Sequence, residues 1–234
     1  MDAANVMGCK PIGVSLRWFE SNPAHCLFLL LFPPRFTILP QAKVGPMKKQ
    51  VPLNKAKWLV EPGCVVLVTS GTIEKANVMT FSWQTPVNSA DPCLILLAIS
   101  HPRYSYDLIK QNRQLVINVP GQELLDQVHF IGQVSGRNSD KFKETGLTPT
   151  PARTVEPPLI EECAGHLECR VVEIFKMQTH DLLICEVLRA VAEADFFDGR
   201  WVPEKFHTLH YLGGNKYGIL DCTVQAPATS GRAN

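Results

Sequence analysis

The feature that most constrains the fold is a series of short apolar runs, rich in β-branched residues and bounded by turn-forming residues. They are CVVLVTSG at 64–71, PCLILLAIS at 92–100, QLVINVP at 114–120, HLECRVVEIFKMQ at 166–178 and HDLLICEVLRAVAEAD at 180–195. Runs of this kind predict β-strands. The segment from Lys75 to Thr85 predicts one further strand, and the short turn before it favours a hairpin with the first. The last two runs are separated only by Thr179, which predicts a second hairpin.

Helical patterns occur at three places between these strands. HPRYSYDLIKQN at 101–112 has Pro102 in a first-turn position, and Ser100 or His101 is the expected cap. ELLDQVHFIGQV at 123–134 has apolar residues at helical spacing, and SGRNSDKFKETG at 135–146 predicts a loop that enters a short helix. Because strands outnumber helices and most neighbours can pair antiparallel, we expect a mainly β fold, a closed or partly closed barrel with peripheral helices.

The two ends of the chain differ from its body. Residues 1–46 are proline-rich, have no sustained period, and predict a poorly ordered extension. Met47 opens MKKQVPLNKAKWLVEPG, which reads as a natural beginning. We hypothesise that the functional protein starts near Met47 and that the first 46 residues reflect a misassigned start. A single domain is expected over 47–222, followed by a disordered tail over 223–234.

Charge, hydropathy and cysteine spacing exclude several classes of protein. A formal net charge of +1 provides no general attraction to nucleic acid. The apolar run CLFLLLF at 26–32 is too short for a membrane span, which takes about 20 residues. The eight cysteines contain no CxxC pair, so we expect reduced thiols packed as small hydrophobes in a reducing, cytoplasmic setting.

Familiar catalytic and nucleotide-binding motifs are missing from the sequence. It contains no GxGxxG, GxxxxGK[ST], HExxH or GxSxG. The HxxH spacing of His207 and His210 is too sparse for a zinc site, and we interpret both as surface or loop histidines. No metal site is therefore expected.

Three polar clusters lie at the ends of predicted elements. In NVMTFSW, Asn77, Met79, Phe81 and Trp83 share one strand face, while Val78, Thr80 and Ser82 share the other. SHPRYS at 100–105 puts Arg103 and two serines at a helix start, where unpaired N–H groups favour a phosphate. SGRNSDK at 135–141 puts Arg137 and Lys141 in a serine-rich loop.

Each cluster also has an ordinary structural explanation. The strand could have one core face and one wet face, the helix start could simply carry a surface arginine, and the loop could be a solvated charged turn. Their joint occurrence in a small β-rich body with nearly neutral net charge favours a single ligand for all three. That ligand is a flat ring system with a terminal phosphate.

The chain resembles the flavin reductase-like, FMN-binding split-barrel proteins, and among them the flavoredoxin-like branch. The resemblance extends over roughly residues 58–220 and is carried, in order, by VVLVTSG, ANVMTFSW, PVNSADPCLILLAIS, RYSYDLIKQNRQLVINVP, ELLDQVHFIGQVSGRNSDKF, GLTPTP, PPLIEECAGHLECRVVEI, DGRW and HYLGG. It implies an antiparallel Greek-key barrel that binds FMN at a homodimer interface.

The resemblance also implies where the cofactor binds. Asn77 and Trp83 would lie beside the isoalloxazine, Ser105 and Lys141 would hold the phosphate with help from Arg103 and Arg137, and His180 would lie near the ring. His180 is preceded by Gln178-Thr179 where the family usually has Gly-Asp, so this hairpin is expected to differ. The late aromatic near the ring is either Tyr211 or Tyr217. The expected FMN contacts are Asn77, Val78, Met79, Thr80, Ser82, Trp83, Ser100, Arg103, Tyr104, Ser105, Ser135, Gly136, Arg137, Lys141, His180 and Tyr211.

Three functions are compatible with this pattern. The first is an oxidoreductase that moves electrons from NADH, NADPH or a protein donor through FMN to free flavin, iron or a partner enzyme. The second is a flavoredoxin-type electron carrier without NAD(P)H turnover, and the third is a cofactor-free binding module. The catalytic residue is not identified by the sequence, although His180 is a candidate. Neither a nucleic acid nor a membrane partner is expected.

Overall fold

The computed structural model describes residues 50–60, 63–88 and 90–226. The chain divides into two compact units, Met1–Gln50 and Val51–Asn234, and the second contains the fold described below. The predicted extension at 1–46 and most of the predicted tail at 223–234 lie outside the described residues. Within the described part of the chain, no helix is both long enough and apolar enough to cross a membrane.

The elements follow the predicted order closely. The strands are β1 (Val66–Ser70), β2 (Asn77–Phe81), β3 (Gln84–Pro86), β4 (Leu94–Ser100), β5 (Gln114–Val119), β6 (Pro149–Thr150), β7 (Leu159–Ile160), β8 (Gly165–Phe175), β9 (His180–Ala192), β10 (Leu209–Gly213) and β11 (Lys216–Ile219). The α-helices are α1 (Tyr104–Asn112), α2 (Leu125–Gln133) and α3 (Lys141–Thr145), and 3-10 helices cover Leu53–Leu59, Ile73–Lys75 and Gln122–Leu124.

Seven strands form one antiparallel sheet in the order β2-β1-β5-β8-β9-β4-β3. Both predicted hairpins are confirmed, with Ser70 opposite Asn77 and Phe175 opposite Leu182. Several neighbours in the sheet are far apart in sequence, as in a Greek key, and the helices are peripheral. The predicted mainly β fold is confirmed.

The single strand predicted from Lys75 to Thr85 is wrong. It is two strands, β2 and β3, which lie at opposite edges of the sheet. Three peptide steps from Phe81 to Gln84 reach at most about 11 Å, whereas a flat sheet of this many strands would be about 29 Å wide. The sheet therefore curls until its edges meet, as in a split barrel, and the side-chain amide of Gln84 donates across the gap to the carbonyl of Cys64 at 2.6 Å.

Strand β1 is buried on both faces, which explains its uninterrupted apolar sequence. Val66 and Val68 belong to the core cluster that also contains Leu97, Ile99, Leu115 and Leu183. The alternate residues Val65 and Leu67 pack in a second cluster, together with α2 and α3 residues such as Val128, Ile131 and Phe142. The helices predicted at 123–134 and 135–146 thus cover the outer face of β1 and β2.

The predicted cap of α1 is also wrong. The helix begins at Tyr104, and Arg103 occupies the cap position in an extended conformation without a side-chain hydrogen bond to the helix. Neither Ser100 nor His101 caps it, because Ser100 is still part of β4. This arrangement places Arg103 between the end of β4 and the start of α1.

Candidate functional site

Two adjoining cavities lie between β2, the end of β4 and the C-terminal end of α2. The smaller has a volume of about 290 Å³ and the larger about 420 Å³. Both are lined by Met79, Thr80, Ser100, Arg103, Gly132 and Gln133, so they form one continuous groove. All but two of the predicted contact residues line one or both cavities; the exceptions are Val78 and Arg137.

The smaller cavity has a buried cation at its base. Lys141, the first residue of α3, is 7% exposed and donates to the carbonyls of Val78 at 2.9 Å and Ile131 at 3.0 Å. These two carbonyls belong to β2 and α2, so the ammonium group joins both walls of the cavity. A buried lysine with only carbonyl partners is unusual, because transfer of its charge from water is costly.

The pKa of Lys141 is lowered from 10.5 to about 8, first by burial and then by the nearby positive charge of Arg103. Two cations therefore face the same small space. None of the described residues that line this cavity is Asp or Glu. An anion bound there would relieve the repulsion between the cations and raise the pKa of Lys141 towards its ordinary value.

A polar cluster also lines the smaller cavity. The amide nitrogen of Asn77 donates to the hydroxyls of Ser105 at 2.7 Å and Ser70 at 3.3 Å. Gly136 approaches Asn77 so closely that a Cβ on this glycine would lie 1.9 Å from the amide oxygen. Gly136 lies in a tight turn, in which the N–H of Asn138 donates to the carbonyl of Ser135 at 3.0 Å, and the close approach to Asn77 explains why this position is glycine.

The two arginines predicted to help with a phosphate have different surroundings. Arg103 lines both cavities. Arg137 instead pairs with Asp107 and donates to the carbonyl of Pro102 at 3.1 Å, while its guanidinium lies 5.2 Å from the ring centre of Tyr104. Arg137 thus attaches its loop to α1 and leaves Arg103 and Lys141 as the cations of the smaller cavity.

The larger cavity is bounded by aromatic rings. Trp83 and His180 lie with ring centres 5.0 Å apart at an interplanar angle of 30°. They meet because both residues are next to β4. Ser100 of β4 is paired with His180 of β9, and the N–H of Ala98 in β4 donates to the carbonyl of Trp83. Tyr211 and Tyr217, the two candidates for the late aromatic residue near the ring, both line this cavity. Their ring centres are 5.4 Å apart.

The remaining β2 residues divide between the cavity and the core. Thr80 lines both cavities, but its hydroxyl donates to the carbonyl of Val128 in α2. The Val78 side chain is fully buried in the second core cluster, and only its carbonyl takes part in the site, as an acceptor for Lys141. Ser82, which follows the end of β2, lines the larger cavity, and its hydroxyl has no such link to α2 among the described contacts.

Sequence reasoning missed several residues of the groove. Gly132 and Gln133 line both cavities at the end of α2, and Lys57 and Trp58 line the larger one. The helical pattern at 123–134 predicted that Gly132 and Gln133 lie on a helix, but it did not indicate that the C-terminal end of this helix lines a cavity. Trp58 was visible as a lone aromatic in MKKQVPLNKAKWLVEPG, but its partner Tyr211 lies far along the chain.

A second polar cluster lies behind the His180 wall. The carboxylate of Asp181 accepts from the hydroxyl of Tyr106 and the N–H of Met177, and it lies 2.8 Å from Nε2 of His101. These hydrogen bonds, led by that of Tyr106 and followed by that of His101, lower the pKa of Asp181 to about 2. Asp181 thus holds the β8–β9 turn against α1.

The described residues contain no group of three or more His, Cys, Asp or Glu side chains that could hold a metal ion. His210 instead contacts the hydroxyl of Thr208 at 3.1 Å. Of the cysteines that the structure describes, Cys163, Cys169 and Cys185 are buried free thiols, and burial raises the pKa of each thiol.

The flavin reductase like domain model matches residues 61–219, more than half of the chain. The chain belongs to this family. An uncharacterized protein of Archaeoglobus fulgidus is 40% identical over 154 residues, which cover 66% of this chain and 85% of that protein. The reductase component of 4-nitrophenol 4-monooxygenase/4-nitrocatechol 2-monooxygenase from Rhodococcus opacus is 26% identical over 153 residues, 63% of this chain and 78% of that protein.

Two solved structures are similar to the chain. The FMN-binding protein from Thermus thermophilus with bound 1-cyclohex-2-enone has a TM-score of 0.67 at 27% identity, covering 78% of this chain and 99% of that one. Flavoredoxin from Methanosarcina acetivorans has a TM-score of 0.68 at 25% identity, covering 78% of this chain and 96% of that one. The predicted family resemblance and split-barrel fold are confirmed.

Proposed function

We propose that this chain is an FMN-binding oxidoreductase that takes electrons from NADH, NADPH or a protein donor and passes them to flavin, iron or a partner enzyme. The observation that carries the proposal is the groove that joins a cationic cavity to an aromatic one. Membership in the flavin reductase-like family supports it, as do the names of the FMN-binding protein and the flavoredoxin that share the fold.

The chemistry of the smaller cavity fits a phosphate dianion. Lys141 and Arg103 supply positive charge, and Ser105 and Ser100 supply hydroxyls, within a lining that has no carboxylate among the described residues. A phosphate needs several charge-assisted hydrogen bonds, each worth about 1.5–3 kcal/mol. Burial, followed by repulsion from Arg103, lowers the pKa of Lys141 in the free protein, and the attraction of a bound dianion would oppose both effects.

The larger cavity fits a flat ring system. Trp83, His180 and Tyr211 offer aromatic surface, and the edge of β2 and the hydroxyl of Ser82 offer polar contacts. The bound flavin would supply the hydride and electron chemistry. The residues of this chain would bind and orient the ring and exclude water from part of its surface, so no acid or base side chain is required.

Purification followed by an absorption spectrum tests the cofactor assignment directly. We expect a yellow protein, or a colourless one that takes up added FMN in a stoichiometric titration. A folded protein that remains colourless and fails to bind FMN would contradict the proposal and would favour a cofactor-free binding module.

A pure electron carrier is the second candidate, favoured by the similarity to flavoredoxin. The similarity to a monooxygenase reductase component favours nicotinamide-dependent turnover instead. Anaerobic mixing of the FMN-loaded protein with NADH and with NADPH separates the two. Bleaching at catalytic rates supports the reductase, whereas bleaching only by a protein donor supports the carrier.

We also propose that two copies associate to complete the site. Trp83 at the mouth of the larger cavity is 37% exposed, and Phe175 and Met177 beside the β8–β9 turn are 52% and 56% exposed. Large apolar side chains with this exposure near a ligand groove are typical of an interface. Sedimentation of the FMN-loaded protein should show a dimer, and a monomer at micromolar concentration would contradict the association.

A further inference from the structure

The 3-10 helix Leu53–Leu59 adds a wall to the larger cavity from outside the part of the chain that the family model matches. That model begins at residue 61, whereas Lys57 and Trp58 line the cavity. The helix has no buried residue, so its own packing gives little reason for its position. Its contact with the body of the domain depends on the side chains that face the groove.

Trp58 attaches this helix to the β10–β11 hairpin. Its ring centre lies 5.8 Å from that of Tyr211, and its edge lies against Gly213. Gly213 has a φ of +104°, and a Cβ there would lie 3.3 Å from the indole, so glycine meets both the backbone and the packing requirement.

Lys57 is held above the cavity by the two indoles. Its ammonium nitrogen lies 4.9 Å from the ring centre of Trp83 and 5.1 Å from that of Trp58. Cation–π contacts at such distances stabilise a lysine without neutralising its charge. Of the carboxylates that the structure describes, none pairs with Lys57, and none lines this cavity.

The positive charge of the larger cavity is therefore divided between two sites. Arg103 faces the junction with the smaller cavity, where the phosphate would engage it. Lys57 remains at the aromatic end, beside Trp83, Trp58 and Tyr211. A ring-shaped ligand that enters between these aromatics meets an unneutralised cation, so a negative substituent on that ligand gains an attractive interaction.

We propose that Lys57 and Trp58 form a subsite for a second substrate and make it selective for planar aromatic anions, such as aryl carboxylates. The proposal rests on the proposed function, because the bound flavin would form the other face of the subsite. Trp58 supplies the stacking surface, and Lys57 supplies the charge preference.

The test compares benzoate with benzamide, which have the same shape and differ in charge. Each is titrated into the FMN-loaded protein, and binding is followed by the change in the flavin absorption spectrum. We expect wild type to bind benzoate roughly tenfold more tightly than benzamide, the ratio that one added charge-assisted hydrogen bond produces. The ratio should shrink as ionic strength rises.

Two lysines of the same helix provide a matched pair of variants. Lys57→Met should bring the ratio close to one, and Lys55→Met, which changes an exposed lysine outside the cavity lining, should keep the wild-type ratio. Trp58→Ala should weaken the binding of both ligands, because it removes the stacking surface. Equal binding of the two ligands by wild type, or equal effects of the two lysine variants, would overturn the subsite.

Failure of the proposed function gives a different result. A protein that takes up no FMN has no flavin spectrum to perturb, and the same ligands are then titrated against tryptophan fluorescence. A benzoate preference that depends on Lys57 in that protein would support the subsite, and its absence would overturn it. A fall in FMN affinity or in the flavin midpoint potential in Lys57→Met, with the ratio unchanged, would instead assign Lys57 to the cofactor.

Discussion

The ammonium group of Lys141 donates to the carbonyl oxygen of Val78 at 2.9 Å, which links the first residue of α3 to the second residue of β2. This contact positions a cation beside the strand on which the sequence placed the ring-binding residues. It also explains why a lysine can be 7% exposed in a folded protein. The charge is retained at neutral pH, because its lowered pKa of about 8 is still above 7.

Replacement of this lysine should affect ligand binding more than folding. In Lys141→Ala we expect FMN affinity to fall roughly 10- to 100-fold, the loss of one charged hydrogen-bond donor, while riboflavin affinity changes little. Fluorescence titration and urea denaturation measure the two effects. Lys143→Ala, on the exposed side of the same helix, is the control. Equal losses of binding and folding free energy would mean that Lys141 has a structural role.

The affinity for FMN should depend on pH through the same group. A dianion favours the protonated ammonium, so binding raises the pKa of Lys141, and affinity must fall as pH rises above the free-protein value of about 8. Below that value, down to the second phosphate pKa of about 6, affinity should be nearly constant. Titrations from pH 6.5 to 10 measure this. An identical decline in Lys141→Ala would assign it to another group.

Gly136 and Asn77 should be energetically coupled. Gly136→Ala places a methyl group where the Asn77 amide oxygen lies, 1.9 Å from the ideal Cβ, and should displace the loop or the amide and weaken FMN binding about tenfold. Asn77→Ala removes the obstacle. In a double-mutant cycle, Asn77→Ala should therefore reduce FMN affinity much less in the Gly136→Ala background than in wild type. Additive losses would mean that the two residues act independently.

The two arginines should differ, although the sequence suggested similar roles. Arg103→Ala should weaken FMN binding about tenfold, because its side chain lines both cavities. Arg137→Ala should change affinity less than about threefold, since its guanidinium pairs with the exposed Asp107. The same titration measures both. A larger loss in Arg137→Ala would show that this side chain leaves Asp107 when the ligand binds.

Asp181 should stabilise the fold above a low pH limit. Its folded pKa of about 2 is below the ordinary 3.8, so its contribution is complete above about pH 4 and is lost as pH falls towards 2. In urea denaturation from pH 2 to 6, the free energy of unfolding of wild type should exceed that of Asp181→Asn near pH 6. The two values should converge near pH 2. Tyr106→Phe, which removes the leading hydrogen bond, should shift the convergence to higher pH. A constant difference over this range would contradict the assignment.

Local patterns were sufficient for most elements. The β-branched runs from Cys64 and at 114–120 are strands, and the spacing of Val128 and Ile131 places both on the buried side of α2. Such patterns report on backbone preference and on which side faces a core, and both properties act within a few residues. They could not show that the segment from Lys75 to Thr85 is divided between two sheet edges, because that depends on how the whole sheet curls.

The sequence by itself determined where most of the long strands lie along the chain, the family, and the types of residue available to a phosphate and a flat ring. Only the tertiary structure decided which of them share a cavity. It brought Lys141 beside Arg103, turned Arg137 towards Asp107, and placed Lys57 and Trp58 over the groove. These outcomes depend on contacts between residues far apart in the chain, and such contacts form only after the sheet has closed and its helices have packed on it.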